Sequence, residues 1–208
     1  PFPYSKSYLG IATALYKTFE QENIDFMISY NRGSSHRFEL VEKGVFSFTI
    51  SSNLSAQEAI RSGRPLSIVK SFGPNTYASQ HMVFYKDKAL DFEKTFKIGI
   101  DENSYDQRQL TLAFIKDKPK AILVPVSSQK FVQSLEKNEI DCGIWDLDSI
   151  ASSNKQFYSR DVLDYADDVS TAVVVCHTDD RLTKKMLENY LIQEEVLKII
   201  TAVHQNEI

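Results

Sequence analysis

The chain has 208 residues, 42% of them hydrophobic and 25% charged. At about 150 residues per domain that is one large domain or two small lobes, and the mix excludes a disordered chain, a collagen-like repeat and a coiled-coil rod. The formal charge of −4 argues against a free-standing nucleic-acid binder, which carries a basic face. The longest apolar stretch, from Ala172 to Cys176, is far short of the ~20 residues of a membrane helix.

Tyr8, Ile11, Leu15 and Phe19 fall at helical spacing and predict a first helix over residues 5–20, capped by Ser5 or Ser7. Residues 24–30 (IDFMISY) read as a strand, broken by Asn31-Arg32-Gly33. A short helix over 35–43 ends at Gly44, a C-cap residue. Residues 45–50 (VFSFTI) predict the next strand; Asn53 caps a helix to about Ser62, and 66–72 predicts a third strand. Gly73-Pro74-Asn75 punctuates the chain.

Residues 81–86 (HMVFYK) and 96–100 (FKIGI) are strand-like. A helix runs from Asp101-Glu102-Asn103-Ser104 to about Lys116, followed by a strand over 121–125 (AILVP). Ser127 or Ser128 caps a helix to Asn138; 140–145 (IDCGIW) is a strand and 146–152 a short helix. Residues 171–176 (TAVVVC) form a return strand, and 179–200 hold two helices with a break near Leu191 to Gln193. Strands alternating with helices imply right-handed crossovers and mostly parallel sheets. The pattern occurs twice, so the expected architecture is two α/β lobes joined by crossings near residues 73–78 and 170–172.

In open α/β sheets ligands sit beyond the carboxyl ends of strands, where the first N–H groups of a helix are unpaired and partly positive. Four polar clusters fall there: Tyr4-Ser5-Lys6, Ser51-Ser52-Asn53, Asn103-Ser104-Tyr105-Asp106 and Ser127-Ser128. Trp145-Asp146 follows a strand, and Arg32 follows another beside Gly33. Each has a plainer reading. Ser52, Asn53, Ser127, Ser128 and Asp146 fit helix caps, Lys6 a solvated helix position, and Trp145, the sole tryptophan, a core position.

Signals for catalysis are weak. His36, His81, His177 and His204 are scattered, with no HExxH, CxxC or Ser-His-Asp pattern and no phosphate-binding glycine fingerprint. Asp101-Glu102 matches no calcium loop. No cofactor and no metal are expected. Cys142 and Cys176 lie in apolar, strand-like runs and read as buried free thiols, which fits a reducing cytoplasm.

Taken in order, Pro1-Phe2-Pro3-Tyr4-Ser5-Lys6, Gly44-Val45, Phe72-Gly73-Pro74-Asn75-Thr76-Tyr77, Ile98-Gly99-Ile100-Asp101, Ser104-Tyr105-Asp106-Gln107 and Ile144-Trp145 resemble the C-terminal domain of the YhfZ family of bacterial transcriptional regulators. The PxPYSK start and the GPxTY segment carry most of the likeness, which runs from the first residue to the terminal helices. The resemblance implies a two-lobed, type II periplasmic-binding-protein-like α/β fold, each lobe a mostly parallel sheet flanked by helices. It implies a small-molecule site in the cleft between the lobes, on Tyr4, Ser5, Lys6, Ser51, Ser52, Asn75, Thr76, Tyr77, Ser104, Tyr105, Asp106 and Trp145. Arg32 and Asp146 join that set from their positions after strands.

The expected lobes are residues 1–77 with 178–208, and residues 78–177. The resemblance implies a winged-helix or helix-turn-helix DNA-binding head joined to this sensor part, and that head is expected to lie outside the chain, which starts at Pro1. Function follows as an expectation: a cytoplasmic, homodimeric effector sensor for a small polar metabolite, anionic or zwitterionic. It would touch DNA only through that head and have no contact with a membrane. Ligand-driven hinge closure would be its mechanism. The rival readings are a solute receptor of a transporter, and a transferase or lyase using Lys6, Tyr105, Asp106 and Asp146 as acid and base groups.

Overall fold

The computed structural model describes residues 8–31, 33–77, 81–147, 150, 156–162 and 166–205. They form two compact units: Pro1–Ser79 with Asp167–Ile208, and Gln80–Ala166.

The first unit is built on three strands, β1 (Phe48–Ser52), β2 (Leu66–Ser71) and the late strand β8 (Ala172–His177). Their order is β1-β8-β2, and β8 runs antiparallel to both neighbours. This corrects the expectation of a mostly parallel sheet here. Returning from the other unit, the chain enters between two strands of like direction and must oppose both. It also moves the expected boundary at residue 178, because β8 belongs to the first unit and the return crossing precedes it.

The central position of β8 explains its continuous apolar run, since a strand covered on both faces has no solvent side. Ala172, Val174 and Cys176 face α1 (Leu9–Gln21) and the terminal helices, packing with Ile11, Leu15, Phe19, Leu187 and Ile200. Val173 and Val175 face α2 (Ser34–Glu42) and α3 (Asn53–Arg61), packing with Phe38, Val41, Ala56 and Ala59. Gly10 lets α1 approach the last helix closely: a Cβ there would stand 3.0 Å from the Ile200 Cα.

The expected strand over 24–30 carries only an isolated bridge, at Tyr30. Its apolar residues Ile24, Phe26 and Ile28 are spent on the core instead, with Phe26 stacked on Phe48 at 5.9 Å.

The second unit holds five strands in the order β5-β4-β6-β3-β7. These are β3 (His81–Tyr85), β4 (Phe96–Ile100), β5 (Ala121–Pro125), β6 (Cys142–Asp146) and β7 (Tyr158–Asp161). β4 pairs parallel with β5 and β6, whereas β3 is antiparallel to β6 and β7. α4 (Tyr105–Ile115) and α5 (Phe131–Glu136) are the connections of the parallel part. α5 starts later than expected and has no side-chain cap; neither Ser127 nor Ser128 supplies one.

β7 and α6 (Ala166–Ser170) were not legible in the sequence. The exposed strand YSRD has no apolar alternation, and α6 is a single turn. Of the expected helix over 146–152, Asp146 is the last residue of β6, and most of the rest lies outside the described residues. The chain ends with α7 (Arg181–Tyr190), capped by Asp180 through Thr183 N at 2.9 Å, and α8 (Gln193–His204), with the break at the expected place.

Candidate functional site

Each unit gathers polar groups along one edge of its sheet. In the first unit this edge holds the carboxyl ends of β1 and β2 and the start of β8. Ser51 and Ser52 end β1, and both are buried. Ser52 is the N-cap of α3, accepting from Ser55 N at 3.0 Å. The cap is therefore Ser52 rather than Asn53, whose N–H donates to Thr171 O and whose amide donates to Asp168 at 2.8 Å. Among the described residues the buried Ser51 hydroxyl has no hydrogen-bond partner.

Asn75, Thr76 and Tyr77 lie against the same edge. All three donate backbone N–H groups to Ser170, Asn75 to its hydroxyl and the other two to its carbonyl. Asn75 adopts φ +63°, a left-handed turn that asparagine tolerates. The Thr76 hydroxyl donates to Gly73 O at 2.6 Å and accepts from Ala172 N at 2.9 Å. It thereby braces the outgoing segment against the returning one. Tyr77 is buried, its ring 4.7 Å from that of Tyr8, and its hydroxyl accepts from Arg37 Nη2 at 3.0 Å. The sequence carried no signal for Arg37, a cation placed on the inner face of a short helix.

In the second unit the edge holds the carboxyl ends of β4, β5 and β6 and the start of antiparallel β3. The Asp101 carboxylate accepts from Asn103 N and Ser128 N, each at 3.0 Å, which ties the Ser127-Ser128 turn to the head of α4. Gln107 locks the same corner, accepting from Asp101 N at 2.6 Å and donating to Gly99 O at 3.0 Å. Ser104 occupies the N-cap position of α4 without a side-chain cap bond. Tyr105 and Asp106 open that helix, and Asp106 is buried.

Asp146 ends β6 directly opposite His81. Burial holds the His81 imidazole below its usual range, while the Asp146 and Asp106 carboxylates act the other way. His81 was legible only as the first residue of a strand. Trp145 stacks on Phe131 at 4.2 Å, nearly parallel, inside the hydrophobic cluster of this unit. Tyr4, Ser5, Lys6 and Arg32 lie outside the described residues.

Among the described residues no three His, Cys, Asp or Glu side chains stand together as metal ligands, and no helix is long and apolar enough to cross a membrane. Cys142 and Cys176 are buried free thiols in different sheets. Burial pushes the Cys176 thiol up to about 11 and the Cys142 thiol higher still, so neither supplies a thiolate at neutral pH.

The profile of the YhfZ C-terminal domain matches residues 1–208. The chain belongs to that family. It is 26% identical to the YhfZ protein of Escherichia coli (strain K12) over 193 residues, which are 90% of this chain and 61% of that protein. The chain thus spans under two thirds of that relative. The crystal structure of YhfZ from Shigella flexneri superposes with a TM-score of 0.81 at 25% identity, covering 100% of this chain and 89% of that one. The periplasmic aliphatic sulphonate binding protein SsuA from Escherichia coli superposes with a TM-score of 0.73 at 10% identity, covering 99% and 74%. The YhfZ domain therefore has the two-lobed, type II periplasmic-binding-protein-like fold.

Proposed function

We propose that this YhfZ domain binds a small polar molecule and is the effector-sensing part of a bacterial transcriptional regulator. The observation that carries the reading is the Ser51 hydroxyl, buried and unpaired at a strand end, in a fold shared with a sulphonate-binding protein. A buried polar group without a partner is costly, and a ligand atom would satisfy it. Within the second unit the candidate residues Ser104, Tyr105, Asp106 and Asp146 are carboxylate-bearing and suited to hydroxyl or amino groups. A ligand with an acidic group as well, anionic or zwitterionic, matches the helix N-terminus at Ser52.

In this reading the protein works in the cytoplasm as a homodimer, and a separate DNA-binding head reads the operator. Ligand shifts the population between two conformations by its differential affinity alone, about tenfold for each ~1.4 kcal/mol. The chain acts as a binding domain rather than an enzyme. The second reading, a solute receptor of a transporter, is favoured by the likeness to SsuA.

The test is a thermal-shift panel of amino acids, sugar acids and sugar phosphates, followed by DNA binding of the full-length protein with and without each stabilising compound. The expected result is a saturable rise in melting temperature and a changed DNA affinity. Absence of any stabilising compound would overturn the binding reading. Stabilisation without an effect on DNA, in a protein exported from the cell, would favour the transport receptor.

A further inference from the structure

Arg37 is only 2% exposed, and a guanidinium remains charged at any pH a protein meets. Burying such a charge is costly unless an anion and hydrogen bonds compensate it. Two of its nitrogens meet neutral acceptors, Asn31 O at 3.1 Å and the Tyr77 hydroxyl at 3.0 Å. Its Nε–H is buried and among the described residues finds no acceptor. Among the described residues no carboxylate pairs with it. The two acids of its own helix face other cations, Glu39 meeting Lys43 at 3.9 Å and Glu42 meeting Arg64 at 2.5 Å. Asp168 accepts from Asn53.

The surroundings are positive as well. Ser34, the first residue of α2, lies 3.3 Å from Ser55 in the first turn of α3 through their hydroxyls, so two helix N-termini meet one turn from Arg37. Each helix has nine residues; in α3 the Asn53 and Ser55 N–H groups already have acceptors, Thr171 O and Ser52 Oγ, so what the two helix starts offer is the positive field of their dipoles. Ser51 stands opposite Val173, which packs with Phe38 and Val41 of α2 and Ala56 of α3. The unpaired Ser51 hydroxyl therefore lies on the sheet face that carries these helices. Arg37 stands one turn into α2 and Ser51 one residue before the N-cap of α3, so an uncompensated buried cation and an unsatisfied buried hydroxyl stand on either side of the joined helix starts, and among the described residues no carboxylate pairs with Arg37.

We infer that this region is an oxyanion subsite, with Arg37 and Ser51 receiving the carboxylate, phosphate or sulfonate group of a small ligand. The inference rests on the small-molecule-binding reading above and adds the residues that hold the ligand's acidic group and the chemical class of that group. The Nε–H of Arg37 supplies a charge-assisted donor, Ser51 Oγ a neutral one, and the helix N-termini the field. The depth of Arg37 limits the occupant to a small group rather than a macromolecular surface.

Scanning fluorimetry of the whole chain, titrated with sodium phosphate, sulfate or acetate at ionic strength held constant with chloride, tests it. At least one oxyanion raises the melting temperature saturably, and the comparison separates tetrahedral from planar groups. Arg37→Gln abolishes the rise, and Ser51→Ala weakens the apparent affinity about tenfold. Ser51→Ala decides the matter if Arg37→Gln does not fold. The proposal is overturned if no oxyanion exceeds chloride, or if Ser51→Ala keeps the wild-type titration. Stabilisation by neutral sugars or amines alone would sink the oxyanion subsite and leave the binding reading standing. Oxyanion binding with no effect on DNA affinity of the full-length protein would do the reverse for the regulator reading.

Discussion

The Arg37 Nη2 donates to the Tyr77 hydroxyl at 3.0 Å, with both residues buried. This bond ties α2 to the segment by which the chain leaves the first unit, across 40 positions of sequence. Tyr77→Phe keeps the ring and removes the acceptor, leaving a buried charged donor without it. The expected cost is about 1–3 kcal/mol, read as a lower urea midpoint with an unchanged denaturant slope. An unaltered midpoint would mean that water reaches the guanidinium.

Ser52 has two readings, cap and ligand contact, which substitution can separate. Ser52→Ala should destabilise the chain by about 1 kcal/mol through loss of the bond to Ser55 N. Ser52→Asp restores a capping oxygen and should recover the stability. If the serine also meets an anionic ligand, the aspartate variant folds normally and shows no ligand-induced thermal shift. A normal shift in that variant would leave Ser52 as a cap alone.

Gly143 sits under the Phe131 ring, and a Cβ at this position would overlap the ring edge. The ring cannot retreat, because Phe131 is fully buried and stacked on Trp145. Gly143→Ala should therefore cost about 1–3 kcal/mol by overpacking. Trp145 is the sole tryptophan, so intrinsic fluorescence reports the displaced stack directly.

His81 makes stability depend on pH in a definite direction. Its folded pKa is lowered, chiefly by burial, from an ordinary value of 6.5. Below that pH the unfolded chain takes up a proton that the folded chain refuses, so this group contributes a loss of stability as pH falls. His81→Gln should flatten the acid side of the melting-temperature profile below about pH 6.5 and leave the neutral side nearly unchanged. Superimposable profiles for the two proteins would show that the imidazole is solvated.

Helical spacing in Tyr8, Ile11, Leu15 and Phe19, the runs FKIGI and AILVP, and the punctuation at Gly73-Pro74-Asn75 were sufficient for an α/β chain in two halves. They were sufficient because period, turn chemistry and capping act over a few residues. The strands over 96–100 and 121–125 stand where the sequence alone puts them, and so does the helix break near Leu191. The polar strand ends at Ser51-Ser52 and Ser104-Tyr105-Asp106 were visible for the same local reason. Tertiary structure decided the rest. Residues 24–29 have strand composition yet join no sheet, because the core takes their aromatic rings. TAVVVC reads as a strand from either side, and only its insertion between β1 and β2 makes it antiparallel to both and assigns it to the first unit. Arg37 looks like any helix-surface arginine until packing buries it among neutral acceptors, since the balance of a buried charge depends on residues far along the chain.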